Sequence, residues 1–366
     1  MLRTLTDCVH LPALPTLALI GVALIPALAA VAGPASAQPR VPAEWEPHAA
    51  TWMQWPGPFE ASMRPEFAEI IRVIQAYEPV HLIAGSASAR NAAQAFLDAR
   101  GVPADNLTWH VYPIDNSWLR DNGPIYVQDG SETRILNWGF DAWGGNFGAD
   151  IPFASDDLIP FRIAEVLGLQ AEDRRDYILE KGNLEFNGAG TLVLNWDCQD
   201  DRNPGLSQGE HEQILREAFG LDRIIWAYGH YPDDGTTGHI DGTARFLNAE
   251  TIAIADYGSP IELDLAAACE AAGLEVVWYD GDPNWLVGNG FVAAMAAPNP
   301  AKNAELKALL ESHFPGRTVH MVDARAIAQS GGGIHCVTND QPAPAGEVFR
   351  DGFESGDTSR WSAESP

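Results

Sequence analysis

The chain of 366 residues sets 50 acidic side chains against 22 basic ones, a formal charge of -28. Nucleic acids and anionic membrane surfaces are recognised through clustered Lys and Arg, so this balance argues against both, while a cationic small molecule or peptide is attracted; solubility alone accounts equally well for the charge. Past residue 37 no stretch is apolar enough to span a bilayer.

At the N-terminus, Arg3 precedes a long run of Leu, Ala, Ile, Val and Pro that closes on Ala35-Ser36-Ala37. That is the form of an export signal, with the mature protein starting near Gln38 in the periplasm or outside the cell. An uncleaved anchor is the alternative, although Pro26 and Pro34 interrupt the run. Cys8 leaves with such a signal, so Cys198, Cys269 and Cys336 remain. An odd number in an oxidising compartment leaves at least one thiol unpaired, and a Cys198–Cys269 bridge makes Cys336 the free one.

From residue 38 the pattern is α/β. Phe67, Ile70, Ile71, Ile74 and Tyr77 recur at helical spacing and turn at Glu78-Pro79 into a short strand over 80–83. The same order of helix then strand is predicted for 90–100 and 107–111, 156–168 and 177–179, 208–219 and 223–226, 262–273 and 274–278, and 303–314 and 318–321. Ser207 and Glu210 form a capping box at the start of the fourth helix. Segments 191–194, 251–255 and 290–295 add strands, expected in hairpins. The domain over 38–342 is thus built from about five or six similar units.

The residues hardest to explain as packing fall just past these strands. Asp121 follows the strand at 107, Glu180 the one at 177, His239 with Asp241 the one at 223, Asn284 the one at 274, and Cys336 the one at 318. Units arranged about an axis bring such groups to one centre, as strand ends do in other α/β folds. Cys336 sits behind Gly331, Gly332 and Gly333, which let backbone N–H groups and substrate approach a thiolate; a small buried cysteine behind a turn is the plain alternative. His239 suits general acid–base work. In GHIDG, Asp241 is expected to share a strand face with it, and a metal site is the competing reading of His-x-Asp. Asp121 and Asp241 beside a thiolate make sense if they clamp a cation, and a planar guanidinium fits paired carboxylates bidentately. Trp118 offers a wall for a flat cation, unless its segment is only a turn salt-bridged from Arg120 to Asp121. Glu180 either orients the imidazole or caps a turn.

These residues lie within motifs that resemble the agmatine deiminase and bacterial peptidylarginine deiminase family of guanidine-modifying enzymes. EWEPHAATWMQWP, NSWLRDNGP, NWGFDAWGG, EKGN, RNP, GHID and GGGIHC follow in that family's order between about residues 43 and 342. The resemblance implies the pentein fold, a five-bladed α/β propeller of ββαβ units, and an enzyme that needs no metal or cofactor. It implies Cys336 as nucleophile, His239 as acid and base, Asp121 and Asp241 as guanidinium clamps, Glu180 as support for the histidine, and Asn284 as a polar neighbour. The expected reaction turns a guanidine into a ureido product and ammonia through a thiouronium adduct, with agmatine-like small molecules favoured and peptidylarginine the alternative. A silent cation-binding protein, a cysteine peptidase or an amidino transferase are the other classes; the peptidase leaves the paired carboxylates unexplained.

Two departures bear on the substrate. Lys181 stands where the family commonly has glycine, placing a bulky cation beside the site, and Gly235 stands where agmatine-specific members usually carry an acid. Residues 137–146 lack the arginine pair of peptidylarginine members. Residues 343–366 read as a flexible tail ending in DGFESGDTSRWS, similar to a short terminal motif of exported bacterial proteins.

Overall fold

The computed structural model describes residues 38–345. The expected export signal and all but the first three residues of the expected tail lie outside them. Ala343 is tied down, its amide donating to the Pro47 carbonyl at 2.8 Å and its own carbonyl accepting from Gln128 at 2.9 Å.

Five separate small sheets carry the fold. The first takes β1 (His48–Gln54), β2 (Val80–Ala84) and β3 (Leu107–Val111), joined in parallel through helices Arg64–Gln75 and Ala87–Asp98. The second holds β4 (Ile125–Asp129), β5 (Glu132–Gly139) and β6 (Gln170–Ile178); the third β7 (Glu185–Phe186), β8 (Thr191–Asn195) and β9 (Arg223–Ala227). The fourth holds β10 (Ala244–Asn248), β11 (Thr251–Ala255) and β12 (Glu275–Tyr279), and the fifth β13 (Leu286–Gly288), β14 (Phe291–Met295) and β15 (Thr318–Val322). In sheets two to five an antiparallel hairpin is followed by a helical crossover to a parallel third strand. The last strand, β16 (Asn339–Pro342), pairs antiparallel with β1 and so completes the first sheet from the far end of the domain.

The inner strands explain why the sheets assemble. Each is buried on both faces along most of its length, and its alternating side chains feed two different cores. On β8, Leu192 and Leu194 pack toward the second sheet while Val193 packs toward the fourth. On β11, Ile252 and Ile254 face the third sheet, and Ala253 and Ala255 the fifth. On β14, Val292 and Ala294 face the fourth sheet, and Phe291 and Ala293 the first. On β5, Leu136 faces the third sheet and Ile135 the first. Met53 of β1 lies in the core shared with the fifth sheet, and Trp52 in the core shared with the second. Each core therefore joins a sheet to the next and one joins the last to the first, the neighbour pattern of the five-bladed α/β fold that the motifs imply.

All six expected helix–strand pairs are present, but the first two share one sheet, so the units number five. The capping box at Ser207 and Glu210 forms, and Ser259 with Glu262 makes a second. The strand expected over 177–179 starts earlier, at Gln170. Its sequence QAEDRRDYI hides the strand because it lies at a sheet edge, where charged side chains reach solvent and discourage pairing with other chains. The bridge between Cys198 and Cys269 is absent: both are free and buried, Cys269 in the core between the third and fourth sheets and Cys198 beside Glu180.

Candidate active site

Each third strand delivers its segment to one centre. After β3, Trp118 lines a cavity and a short helix, Leu119–Asn122, carries Asp121. After β6 comes Glu180, after β9 His239 and Asp241, after β12 Asn284, and after β15 the glycine run and Cys336. The six polar side chains are buried, Cys336 being the most open at 8% exposure. Around Cys336 lie two cavities, of about 270 and 250 Å³, that share Thr236, Gly331 and Cys336. Trp118 and Asp121 face the first; His239, Asp241 and Asn284 face the second.

The thiol is held on both sides of its residue. Asn284 Nδ2 donates to Cys336 Sγ at 3.1 Å, and Asn284 Oδ1 accepts from the Cys336 amide at 3.2 Å. Sγ lies 3.5 Å from Asp241 Oδ2. Burial, then the charges of Asp241 and Asp121, push the thiol pKa well above its usual value, against the donors Gly333 and Asn284.

The imidazole is fixed from the other side. His239 Nε2 sits 2.7 Å from Glu180 Oε2, and Nδ1 lies 3.5 Å from Asp121 Oδ1 with no hydrogen-bond partner. Burial alone lowers a histidine's pKa, but Asp121, Cys198 and Glu180 outweigh it and hold His239 protonated well above its ordinary value. Burial would raise Glu180, yet its bonds to His239 and to Arg202, whose Nε donates at 2.8 Å, keep it below the usual range. Glu180 therefore supports the imidazole rather than capping a turn. Glu180, Cys198 and His239 are also the one group among the described residues whose ligand atoms all lie within 4.8 Å. Arg202 already donates to both Glu180 oxygens, so a cation is in place there.

Asp121 is pushed up to about 6 by burial and by the nearby charges of Glu180 and Asp241, opposed by His239 and the Trp143 donor. Trp143 Nε1 donates to its Oδ2 at 2.8 Å and the Gly182 amide to its Oδ1 at 3.2 Å. Trp143 reaches it from a turn in which Ala142 and Trp143 both hold φ at 58°, a backbone region that costs side-chain-bearing residues about 1–3 kcal/mol and clusters at functional sites. Burial raises Asp241 too, but His335, 2.7 Å away through Nδ1, leads the groups that bring it below the ordinary range.

Several expectations are corrected. His239 and Asp241 are not on a strand: His239 precedes the 3-10 turn Ile240–Gly242, which sends the two side chains to different partners, Glu180 and His335. Arg120 does not pair with Asp121; it binds Asp340 at 2.7 Å and Glu44 at 3.3 Å. Lys181 turns away from the centre to the same Asp340 at 2.7 Å, so it is no obstacle to a substrate. Sequence reasoning passed over Glu44 and His335. Glu44 receives Arg245 at 2.8 Å, the Val287 amide at 2.8 Å and His335 Nε2 at 2.7 Å, and so ties the floor beneath Cys336 and Asp241 together. The motif holding His335 was legible, but nothing local showed which acid it meets.

A thiol flanked by carboxylates, with a protonated imidazole opposite, is chemistry for a planar cation. A family model described as Porphyromonas-type peptidyl-arginine deiminase matches residues 40–273 and 282–342. The chain belongs to this family. The chain is similar to the agmatine deiminase of Pseudomonas aeruginosa (strain UCBPP-PA14), 32% identical in an alignment 363 positions long that covers 83% of this chain and 96% of the relative. The agmatine deiminase of Ectopseudomonas mendocina (strain ymp) is 30% identical, covering 84% and 96%. The structure of the Enterococcus faecalis agmatine deiminase matches with a TM-score of 0.75 at 23% identity over 83% of this chain and 96% of that one, a likeness of fold. The chain is thus a guanidine deiminase of the pentein fold, a hydrolase of amidine C–N bonds.

Proposed function

We propose that the chain hydrolyses a small monosubstituted guanidine of the agmatine type to a ureido compound and ammonia, with Cys336 as nucleophile and His239 as acid and base. One observation carries this: the Cys336 thiol lies 3.5 Å from Asp241 and shares a cavity with Asp121, itself 3.5 Å from His239, so one guanidinium can meet all four. A guanidinium between the two acids neutralises the charges that hold the thiol protonated, and the proton leaves by way of Asp241, the carboxylate nearest Sγ. The thiolate then attacks the central carbon. His239 protonates the departing nitrogen, and ammonia leaves a thiouronium on Cys336. The neutral imidazole takes a proton from water as its oxygen bonds to the same carbon; the C–S bond then breaks to release the thiolate, and the hydroxyl proton passes to solvent water as the ureido carbonyl forms. Trp118 walls the flat cation and Asn284 steadies the sulfur. Every proton transfer runs through these side chains and water.

The test is incubation of the protein with agmatine, arginine and arginyl peptides, assaying ammonia and ureido product and looking by mass spectrometry for the adduct on Cys336. No ammonia from any of the three, with the Cys336 peptide recovered unmodified after incubation, sinks the reading. The pH dependence is a second expectation. Asp121 gains its charge as pH rises through about 6, so kcat/KM should climb through that pH with unit slope, and Asp121→Asn should lose that limb along with most activity. A profile flat from pH 5 to 8 in the wild type contradicts the clamp. We also read residues 1–37 as an export signal that places the enzyme outside the cytoplasm, which N-terminal sequencing of the periplasmic fraction tests. Among the described residues no helix is long and apolar enough to cross a membrane.

A further inference from the structure

We propose that Glu60 receives the far-end ammonium of the substrate, so that the enzyme selects guanidines carrying a second cation at the tail; this rests on the deiminase reading of the same centre. The larger cavity, about 270 Å³, is lined by Cys336 and Asp121, by Glu60, and by the rings of Phe59, Trp118 and Trp143. A guanidinium at Cys336 and Asp121 leaves the rest of this space to its alkyl tail, whose methylenes the rings cover. Of the two carboxylates in the lining, Asp121 belongs to the guanidinium clamp and Glu60 does not.

Glu60 is buried, at 6% exposure, and forms no ion pair among the described residues. Its Oε1 accepts from the Ser117 amide at 3.1 Å and its Oε2 from the Gly57 amide at 3.2 Å. Arg64, whose charge reaches it, donates instead to the Pro56 carbonyl at 3.1 Å and the Gly57 carbonyl at 3.0 Å. The amides orient the carboxylate without neutralising it, since an ionised carboxylate has about four acceptor positions. Burial accordingly pushes its pKa up. By contrast, Glu180 meets Arg202, Asp340 meets Lys181 and Arg120, and Glu44 meets Arg245. A buried carboxylate without a counter-ion is costly, so a ligand ammonium arriving at Glu60 finds a partner already fixed in place. Asp234 and Asp282 are the other acids in reach of the centre, but they line the second cavity with His239. There the imidazole hands a proton to departing ammonia and draws one from water, and a tail in that space would block both.

The deciding measurement, on the full-length protein, is kcat/KM for agmatine divided by that for n-pentylguanidine, an isostere with a methyl in place of the ammonium. In the wild type agmatine should lead by about thirtyfold or more. Glu60→Gln should cut that ratio by about tenfold or more, chiefly by raising KM for agmatine. A merely structural role for Glu60 would slow both substrates alike and leave the ratio unchanged, which overturns the proposal. So does a ratio that collapses in Asp234→Asn or Asp282→Asn but not in Glu60→Gln. Should Glu60→Gln fail to fold, Glu60→Asp keeps the charge and withdraws it by one methylene, so the preference should pass from agmatine to its five-carbon homologue; an unchanged preference overturns the assignment. Wild-type agmatine no better than n-pentylguanidine overturns it while leaving the deiminase intact. If neither guanidine yields ammonia, the hydrolytic reading falls, and calorimetry with Cys336→Ala, alone and combined with Glu60→Gln, still decides the tail: selective weakening of agmatine supports Glu60, and equal weakening of both compounds overturns it.

Discussion

Cys336→Ala should release ammonia from guanidines about ten-thousandfold more slowly than the wild type or worse, while still binding them. The reason is chemical rather than structural. The side chain loses only its sulfur, its amide keeps the bond to Asn284 Oδ1, and Asp121 and Asp241 keep their partners. Removing a thiol that is itself costly to ionise between two carboxylates should leave affinity unchanged or improved. Turnover within about tenfold of the wild type would remove covalent catalysis from the mechanism. Loss of binding together with turnover would show that the thiol holds the pocket open.

Gly182→Ala should slow turnover by about a hundredfold, although the glycine supplies no group to the chemistry. A Cβ at this position lies 2.5 Å from Asp121 Oδ1 and 2.6 Å from His239 Nδ1, closer than carbon tolerates. The Gly182 amide also donates to Asp121, so the backbone cannot retreat without releasing the clamp. A displacement of about 1 Å at reacting groups costs about a hundredfold in rate. Overpacking in a rigid interior adds a loss of about 1–3 kcal/mol in stability. Steady-state kinetics and thermal melts on the same preparation separate the two effects. A variant with full activity would mean that His239 and Asp121 hold no fixed geometry.

Much of the fold was written in local pattern. Phe67, Ile70, Ile71 and Ile74 all enter one core, because a helix face at 3.6-residue spacing has a single way to be buried. Several strands were not named from the pattern, among them the apolar Ile125–Asp129 and Ala244–Asn248, and two others have ambiguous chemistry. Gln170–Ile178 is charged because it is an edge, and Asn339–Pro342, a polar segment, is a strand only because β1 needs a partner. The same limit applies to Cys198 and Cys269, whose pairing depends on a separation that composition does not encode.

At the site, residue types and their positions past successive strands were enough to nominate Asp121, Glu180, His239, Asp241, Asn284 and Cys336, because an acid, a base and a nucleophile have few other reasons to recur there. Their partners were not readable. Lys181 looked like a cation in the pocket, but its ammonium finds Asp340, 159 residues away. Glu44 meets His335 across 291 residues. The sequence by itself determined the repeating α/β units, the acidic charge and the chemical inventory of the centre. Tertiary structure alone decided which carboxylate faces sulfur, which holds the imidazole and which only anchors the floor. The physical reason is that charge, burial and hydrogen bonding act through distance in space, and five sheets closing on one another bring together groups that the chain keeps far apart.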